Sequence, residues 1–234
     1  LKRHPRLPEQ AVIATMPIGA AEQDFAALRA APRPTTLFDA ADGLFHMVYA
    51  GAMLPKAHAV LDRLCEALQV LRDRDTALFS QLRLHFIGTG KSPRDPEGYN
   101  VRPVAIRYGL HESIQEHPQR MGYVEVLNHL CQAQGVLVLG STEAHYSPSK
   151  VYQAVHSQRP VFALLHEAST AVAVLRDSGA GAVVTLSESQ LPTAEALAAA
   201  LAAFMRRAAL PRTVDWGAFE PYSARHSARL LAAA

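Results

Sequence analysis

The stretch Gly140 to Lys150, GSTEAHYSPSK, gathers Glu143, His145, Tyr146, Ser147, Ser149 and Lys150, with Gln153 one turn further on. A Lys among hydroxyls at the start of a helix suits an anion, because helix N-termini carry unpaired N–H groups and the positive end of a dipole. The stretch thus puts a carboxylate, an imidazole, a phenol, several hydroxyls and an ammonium in one short connection, more chemistry than a connection needs.

The elements around the loop show how it is held. Val136 to Leu139 is an apolar, β-branched run, Pro148 opens a short helix, and a second apolar run follows Pro160. This is the pattern of a βαβ unit in a parallel sheet, whose strands are buried on both faces. Ligands of such sheets bind outside the carboxyl ends of the strands, where this loop lies.

The rest of the chain repeats the pattern. His46 to Ala50 reads as a first strand ending at Gly51. A helix follows from Pro55 to Arg72, with Val60, Leu61, Leu64, Leu68 and Leu71 at helical spacing. Leu82 to Ile87 reads as a second strand and Glu112 to His117 as a third, with a short helix over 103–108 between them. Tyr123 to Ala133 is the helix before the central unit. Beyond that unit, helices are expected over 169–178, 192–208 and 222–233, and a strand over 182–186. Alternating strands and helices predict an α/β fold: one Rossmann-like domain, a parallel doubly wound sheet with helices on both faces.

Residues 1–43, with Pro32 and Pro34 enforcing extended backbone, read as a connecting arm, and 44–234 as the domain. After the second strand comes Gly88-Thr89-Gly90-Lys91-Ser92. It is not a triphosphate-binding loop, since His85 stands where that motif needs Gly. Gly88, Thr89 and Gly90 instead form a Gly-rich turn at the same sheet edge, within reach of a ligand.

Composition narrows the classes. The chain of 234 residues is 49% hydrophobic and has a net charge of +2 with signs interspersed, which argues against nucleic acid as a partner. Cys65 and Cys131 lie in apolar helical patterns and read as buried thiols, which suits a cytoplasmic location. No apolar run approaches a membrane span, and the scattered His residues lack metal-ligand spacing, so no metal site is expected.

The strand ending Tyr49-Ala50-Gly51, the turn Phe86-Ile87-Gly88-Thr89-Gly90, and Ser147-Pro148-Ser149-Lys150-Val151-Tyr152-Gln153 through Arg159-Pro160-Val161 together resemble the C-terminal, donor-binding half of GT-B-type glycosyltransferases of the family-4 kind. Met16-Pro17-Ile18-Gly19 with Asp24-Phe25 resembles that family's linker between halves. The resemblance implies a nucleoside-diphosphate sugar as donor substrate, no separate cofactor, and an N-terminal acceptor domain beyond this chain, through which peripheral membrane contact would occur. It implies Lys150 and Lys56 as the catalytic cations. Gly51, Gly88, Thr89, Gly90, Arg120, Glu143, Tyr146, Ser147, Ser149 and Gln153 would be the donor-binding set. Gln153 stands where the family carries a Glu that accepts from the ribose. Ala52 follows Gly51 where many relatives have Arg, and Val151 stands where the second of a Glu pair begun at Glu143 would be. Two other readings share the architecture: a nucleotide-sugar 2-epimerase-like enzyme, and a non-catalytic module for binding or assembly.

Overall fold

The computed structural model describes residues 19–90, 98–211 and 213–233. Helix α1 (Glu22–Ala30) comes first, then β1 (Phe45–Ala50), α2 (His58–Arg74), α3 (Thr76–Gln81) and β2 (Leu82–Ile87). After these come α4 (Arg102–Arg107), β3 (Ile114–His117), α5 (Tyr123–Gln132), β4 (Gly135–Leu139) and α6 (Lys150–His156). The chain continues through β5 (Val161–His166), α7 (Thr170–Asp177), β6 (Gly181–Leu186), α8 (Ala194–Arg207), α9 (Trp216–Phe219) and α10 (Ala224–Ala233). The strands form one parallel sheet in the order β3-β2-β1-β4-β5-β6. This is the α/β architecture that the alternating pattern predicts.

Side chains alternate across the strands and build two cores. Met47, Tyr49, Leu84, Phe86, Leu137 and Phe162 face α2, α4 and α8. Val48, Ala50, Ile87, Val138, Ala163 and Leu165 face α1, α5, α6 and α7. Cys65 and Cys131 are buried free thiols, one in each core.

The strand order reverses between β1 and β4. There the register is Met47↔Gly135 and Val48↔Val136, whereas β1 pairs with β2 along its whole length, from Phe45↔Leu82 to Ala50↔Ile87. Beyond Val48 and Val136 the two strands part, and a crevice opens at their carboxyl ends.

Four local differences from the sequence expectations have physical causes. Strand β3 begins at Ile114 rather than Glu112, because the N–H groups of Ser113 and Ile114 are spent on the Leu110 carbonyl at 3.0 and 2.9 Å. Helix α3 is an addition: the Asp75 carboxylate caps it by accepting from the Leu78 N–H at 3.0 Å, and Phe79 is buried beneath it. The last helix starts at Ala224, since Ser223 bridges in parallel to Ala20. Within the stretch expected as an arm, α1 is a regular helix that buries Phe25 and Leu28 and packs on α5. Residues 1–18, including Met16 to Ile18 of the linker pattern, and Lys91 and Ser92 of the Gly-rich turn lie outside the described residues. Among the described residues no helix is long and apolar enough to cross a membrane.

Two polar clusters fix the segments that carry the sheet edge. The Glu116 carboxylate accepts from the Thr89 hydroxyl and from the backbone N–H groups of Asn100 and Val101, both at 2.8 Å, and of Arg102 at 2.6 Å. It ties the turn after β2 to the start of α4. On the opposite side of the sheet His46 Nδ1 and His85 Nε2 are 2.9 Å apart, and His46 Nε2 is 3.0 Å from Asp42 Oδ1. Phe38 stacks on the His46 ring and lies tilted against that of His85, holding the arm over them. With His46 donating to Asp42 and His85 donating to His46, His85 Nδ1 is left as a buried acceptor without a partner. Burial, then the neighbouring His46, His117 and His129, push His85 down to about 3.

Two outcomes follow from these clusters. Glu116→Gln sets an amide NH2 against N–H donors, and denaturant unfolding is expected to show a loss of about 2 to 3 kcal/mol, as for charge-assisted bonds. His85 has a lower pKa folded than the ordinary 6.5, so the unfolded chain binds more protons between about 6.5 and 3 and stability drops as pH falls through that window. The slope is at most about 1.4 kcal/mol per pH unit for this one group. His85→Leu should flatten the melting temperature against pH between pH 6 and 4.

Candidate functional site

The loops leaving the carboxyl ends of β1, β2 and β3, and the helix that follows β4, contribute to one cleft beside the crevice. Its cavity of about 340 Å³ is walled by Gly51 and Ala52 after β1, Gly88 after β2, Arg120 after β3, and Lys150 and Gln153 of α6. A second cavity of about 210 Å³ lies in the crevice itself, shares Gly51 and Lys150, and is closed by Tyr146 and Ser149. Lys150 therefore borders both.

Backbone conformation lets these loops come together. The ladder runs one step past β1, with the Gly51 N–H donating to the Ile87 carbonyl at 2.9 Å. Gly88 takes a left-handed φ of +71°, which turns the chain away from β2 while its N–H still donates to His117 at 2.8 Å. The Gly90 N–H donates to the Pro118 carbonyl at 3.0 Å, so this turn is laced to the loop that carries Arg120.

The electrostatics of the cleft are one-sided. Lys150 is exposed at the cleft mouth, and its ammonium is held below its ordinary pKa first by partial desolvation and then by the positive charge of Arg120. Among the described residues no ion pair includes Lys150 or Arg120. Helix α6 also begins without a side-chain cap. Two cations and no acid partner make the cleft a place where an anion is favoured.

The other expected residues divide by what they touch. Lys56, in a 3-10 turn before α2, pairs with Glu143 at 3.3 Å and clamps the loop after β1 to the loop after β4. Thr89 is fully buried with its hydroxyl on Glu116, so that side chain supports the turn rather than facing the cleft. Ser147 accepts from the Thr170 N–H at 3.1 Å and from its hydroxyl at 2.9 Å, capping α7 from outside the helix. With both lone pairs so used, the Ser147 hydroxyl donates its own proton to the hydroxyl of Ser169, the N-cap position itself, at 3.0 Å. Tyr146 stands in the crevice, where burial raises its pKa. Gly51, Gly88, Arg120, Lys150 and Gln153 are thus together in the main cleft, and Tyr146 and Ser149 adjoin it.

Two residues escape sequence reasoning. Tyr123 opens α5 and lines the cleft, and its hydroxyl donates to Asp24 Oδ2 on α1 at 3.0 Å. Nothing local in the sequence marks that pair, because the partners are 99 residues apart. Met121 and Val126 add the apolar wall beneath.

Neither a family model nor a curated protein matches this sequence. Solved structures do match its fold. A glycosyltransferase from Rickettsia africae ESF-5 superposes with a TM-score of 0.64 at 15% identity, over 98% of this chain and 59% of that one. An alpha,alpha-trehalose-phosphate synthase (UDP-forming) from Burkholderia xenovorans gives 0.61 at 16% identity, over 93% of this chain and 47% of that one. The C-terminal domain of a glycosyl transferase group 1 family protein (LpcC) from Francisella tularensis gives 0.52 at 14% identity, over 88% of this chain and 92% of that one. The chain thus spans about half the length of the full-length neighbours and nearly all of the isolated domain. It has the fold of the C-terminal half of GT-B-type glycosyltransferases.

Proposed function

We propose that this chain is the donor-binding half of a glycosyltransferase, which moves a sugar from a nucleoside diphosphate to an acceptor without a metal. The observation that carries the reading is the meeting of Lys150 and Arg120, unpaired with any acid among the described residues, on a cavity at the point where the strand order reverses. A nucleoside diphosphate is an extended anion with an apolar base. The cleft offers cations at Lys150 and Arg120, the polar side chain of Gln153, and an apolar wall of Met121 and Val126.

The chemistry follows from charge. As the bond between the sugar's anomeric carbon and the phosphate oxygen breaks, negative charge grows on the diphosphate. Groups fixed near that oxygen stabilise the departing anion more than the bound substrate, which is what accelerates a reaction. In this reading the role falls to Lys150 and Arg120, which line the cleft together. Lys56, held by Glu143, orders the rim and contributes long-range charge. The acceptor and any general base belong to an N-terminal half beyond this chain.

A non-catalytic binding module is the second reading. Ala52 in place of an Arg and the pairing of Lys56 with Glu143 favour it, since both reduce the free positive charge at the cleft.

Calorimetric titration with UDP, GDP, ADP and TDP distinguishes them, and the UDP-forming synthases among the structural neighbours make UDP the first to try. One nucleotide is expected to bind, and Lys150→Ala and Arg120→Ala are each expected to weaken it about tenfold, or ~1.4 kcal/mol. Binding should also weaken with added salt. Full-length protein that binds none of the four, or a Lys150→Ala variant that binds as tightly as the parent, would overturn the donor-site reading.

A further inference from the structure

The chain carries four lysines, Lys2, Lys56, Lys91 and Lys150. The two that lie among the described residues stand in opposite surroundings. The Lys56 ammonium is engaged by the Glu143 carboxylate at 3.3 Å. Lys150 has no acid partner among the described residues, and Glu143 is the one acid between Gly140 and Lys150. It is exposed at the mouth of the main cleft and shares that cavity with the guanidinium of Arg120.

The two cations differ in what they can do. An amine partly out of water and beside another positive charge gives up its proton more readily than a free lysine, and the neutral amine is a nucleophile. Partial desolvation, then the charge of Arg120, lowers the Lys150 pKa in this sense. A guanidinium keeps its proton, so Arg120 remains a fixed charge and a fork of donors for phosphate oxygens. A molecule that suits both has a phosphate for the arginine and an electrophilic carbon close to it for the amine. Acyl phosphates have that form, with the carbonyl carbon one oxygen away from phosphorus. The cavity of about 340 Å³ that Lys150 and Arg120 line has room for so small a molecule.

We propose that Lys150 is an acylation site, which takes an acyl group from an acyl phosphate whose phosphate rests on Arg120, and that the modification weakens the hold of the cleft on anions. The Lys150 Nζ lone pair attacks the acyl carbon and the C–N bond forms. The bond from that carbon to the phosphate oxygen breaks, inorganic phosphate leaves with the electron pair, and the extra proton on nitrogen passes to water. The resulting amide carries no charge, so one of the two cations lining the cleft is lost. The effect on nucleotide binding rests on the donor-site reading. The acylation itself needs no nucleotide and is tested without one.

The full chain is incubated at about pH 8, below the ordinary lysine pKa, with acetyl phosphate or with the uncharged N-hydroxysuccinimide ester of acetic acid. Mass spectrometry follows acetylation at each lysine. With acetyl phosphate, Lys150 is expected to react about fivefold faster than Lys56. Arg120 is exposed, so Arg120→Ala leaves the core untouched. That variant is expected to slow Lys150 about fivefold with acetyl phosphate and much less with the ester, which has no phosphate for the guanidinium to hold. Lys56 labelled by acetyl phosphate as fast as Lys150, or an Arg120→Ala variant in which the two reagents change by the same factor, would overturn the inference.

The consequence has its own readout. Acetyl phosphate treatment is expected to weaken the bound nucleotide of the UDP, GDP, ADP and TDP set about tenfold in the parent, and to change nothing in Lys150→Arg, which has no amine there to acylate. An equal loss in both would overturn the assignment of the effect to Lys150. Untreated protein that binds none of the four counts against the donor-site reading, and the labelling result then decides the acylation by itself.

Discussion

The structure turns on the reversal of strand order between β1 and β4. On one side of this line the chain leaves β1 and β2 for α2 and α4 on one face of the sheet. On the other it leaves β4 and β5 for α6 and α7 on the opposite face. Neighbouring connections that depart to opposite faces cannot cover the gap between them. The ladder between β1 and β4 accordingly ends near Val48 and Val136, and a crevice is a consequence of topology rather than of any side chain. What the sequence adds is the chemistry around it, with Lys150 at the border of both cavities.

Loops at such an edge have little apolar surface to bury, so they are held by polar devices. Glu116 gathers the turn after β2 and the start of α4 around one carboxylate. Ser147 fastens the loop after β4 to the N-terminus of α7. Lys56 and Glu143 join the loops on either side of the crevice, although an ion pair this exposed, with Lys56 at 58%, contributes little stability. Its effect is on the geometry of the rim. From behind, α1 braces α5 through Asp24 and Tyr123 and α6 through Arg29, so the segment preceding the sheet is part of what shapes the cleft.

The sequence makes the sheet legible because buried parallel strands are apolar runs bounded by Gly and Pro, as Val136 to Leu139 and Val161 to Leu165 illustrate. The same reasoning brings Gly51, Gly88, Lys150 and Gln153 to one edge, since each follows the carboxyl end of a strand. It does not say which hydroxyls are spent inside the fold. Thr89 finds Glu116 and Ser147 finds Thr170 at separations of 27 and 23 residues, and no local pattern encodes either meeting. Helix α1 is different. Glu22 and Asp24 in its first turn, Arg29 in its last, and Phe25 and Leu28 on one face are ordinary helix signals, obscured by the prolines that follow at 32 and 34.

The treatment of cations across the molecule bears on what the cleft is for. Several arginines pair with acids: Arg63 with Glu66, Arg107 with Asp62, Arg206 with Asp75 and Arg229 with Glu220. Others donate to backbone carbonyls, as Arg29 does to His156 and Arg159 to Cys131. Lys150 and Arg120 instead sit near enough for the charge of one to depress the pKa of the other. Such a pairing works against the fold in the absence of ligand, because like charges repel and partial desolvation adds to the cost. A guanidinium cannot relieve it by losing its proton. An anion bound between them reverses the sign of the interaction, so the repulsion of the free state becomes attraction in the complex. Gln153, which lines the same cleft, is uncharged, so it does not subtract from the positive charge that an anion meets there.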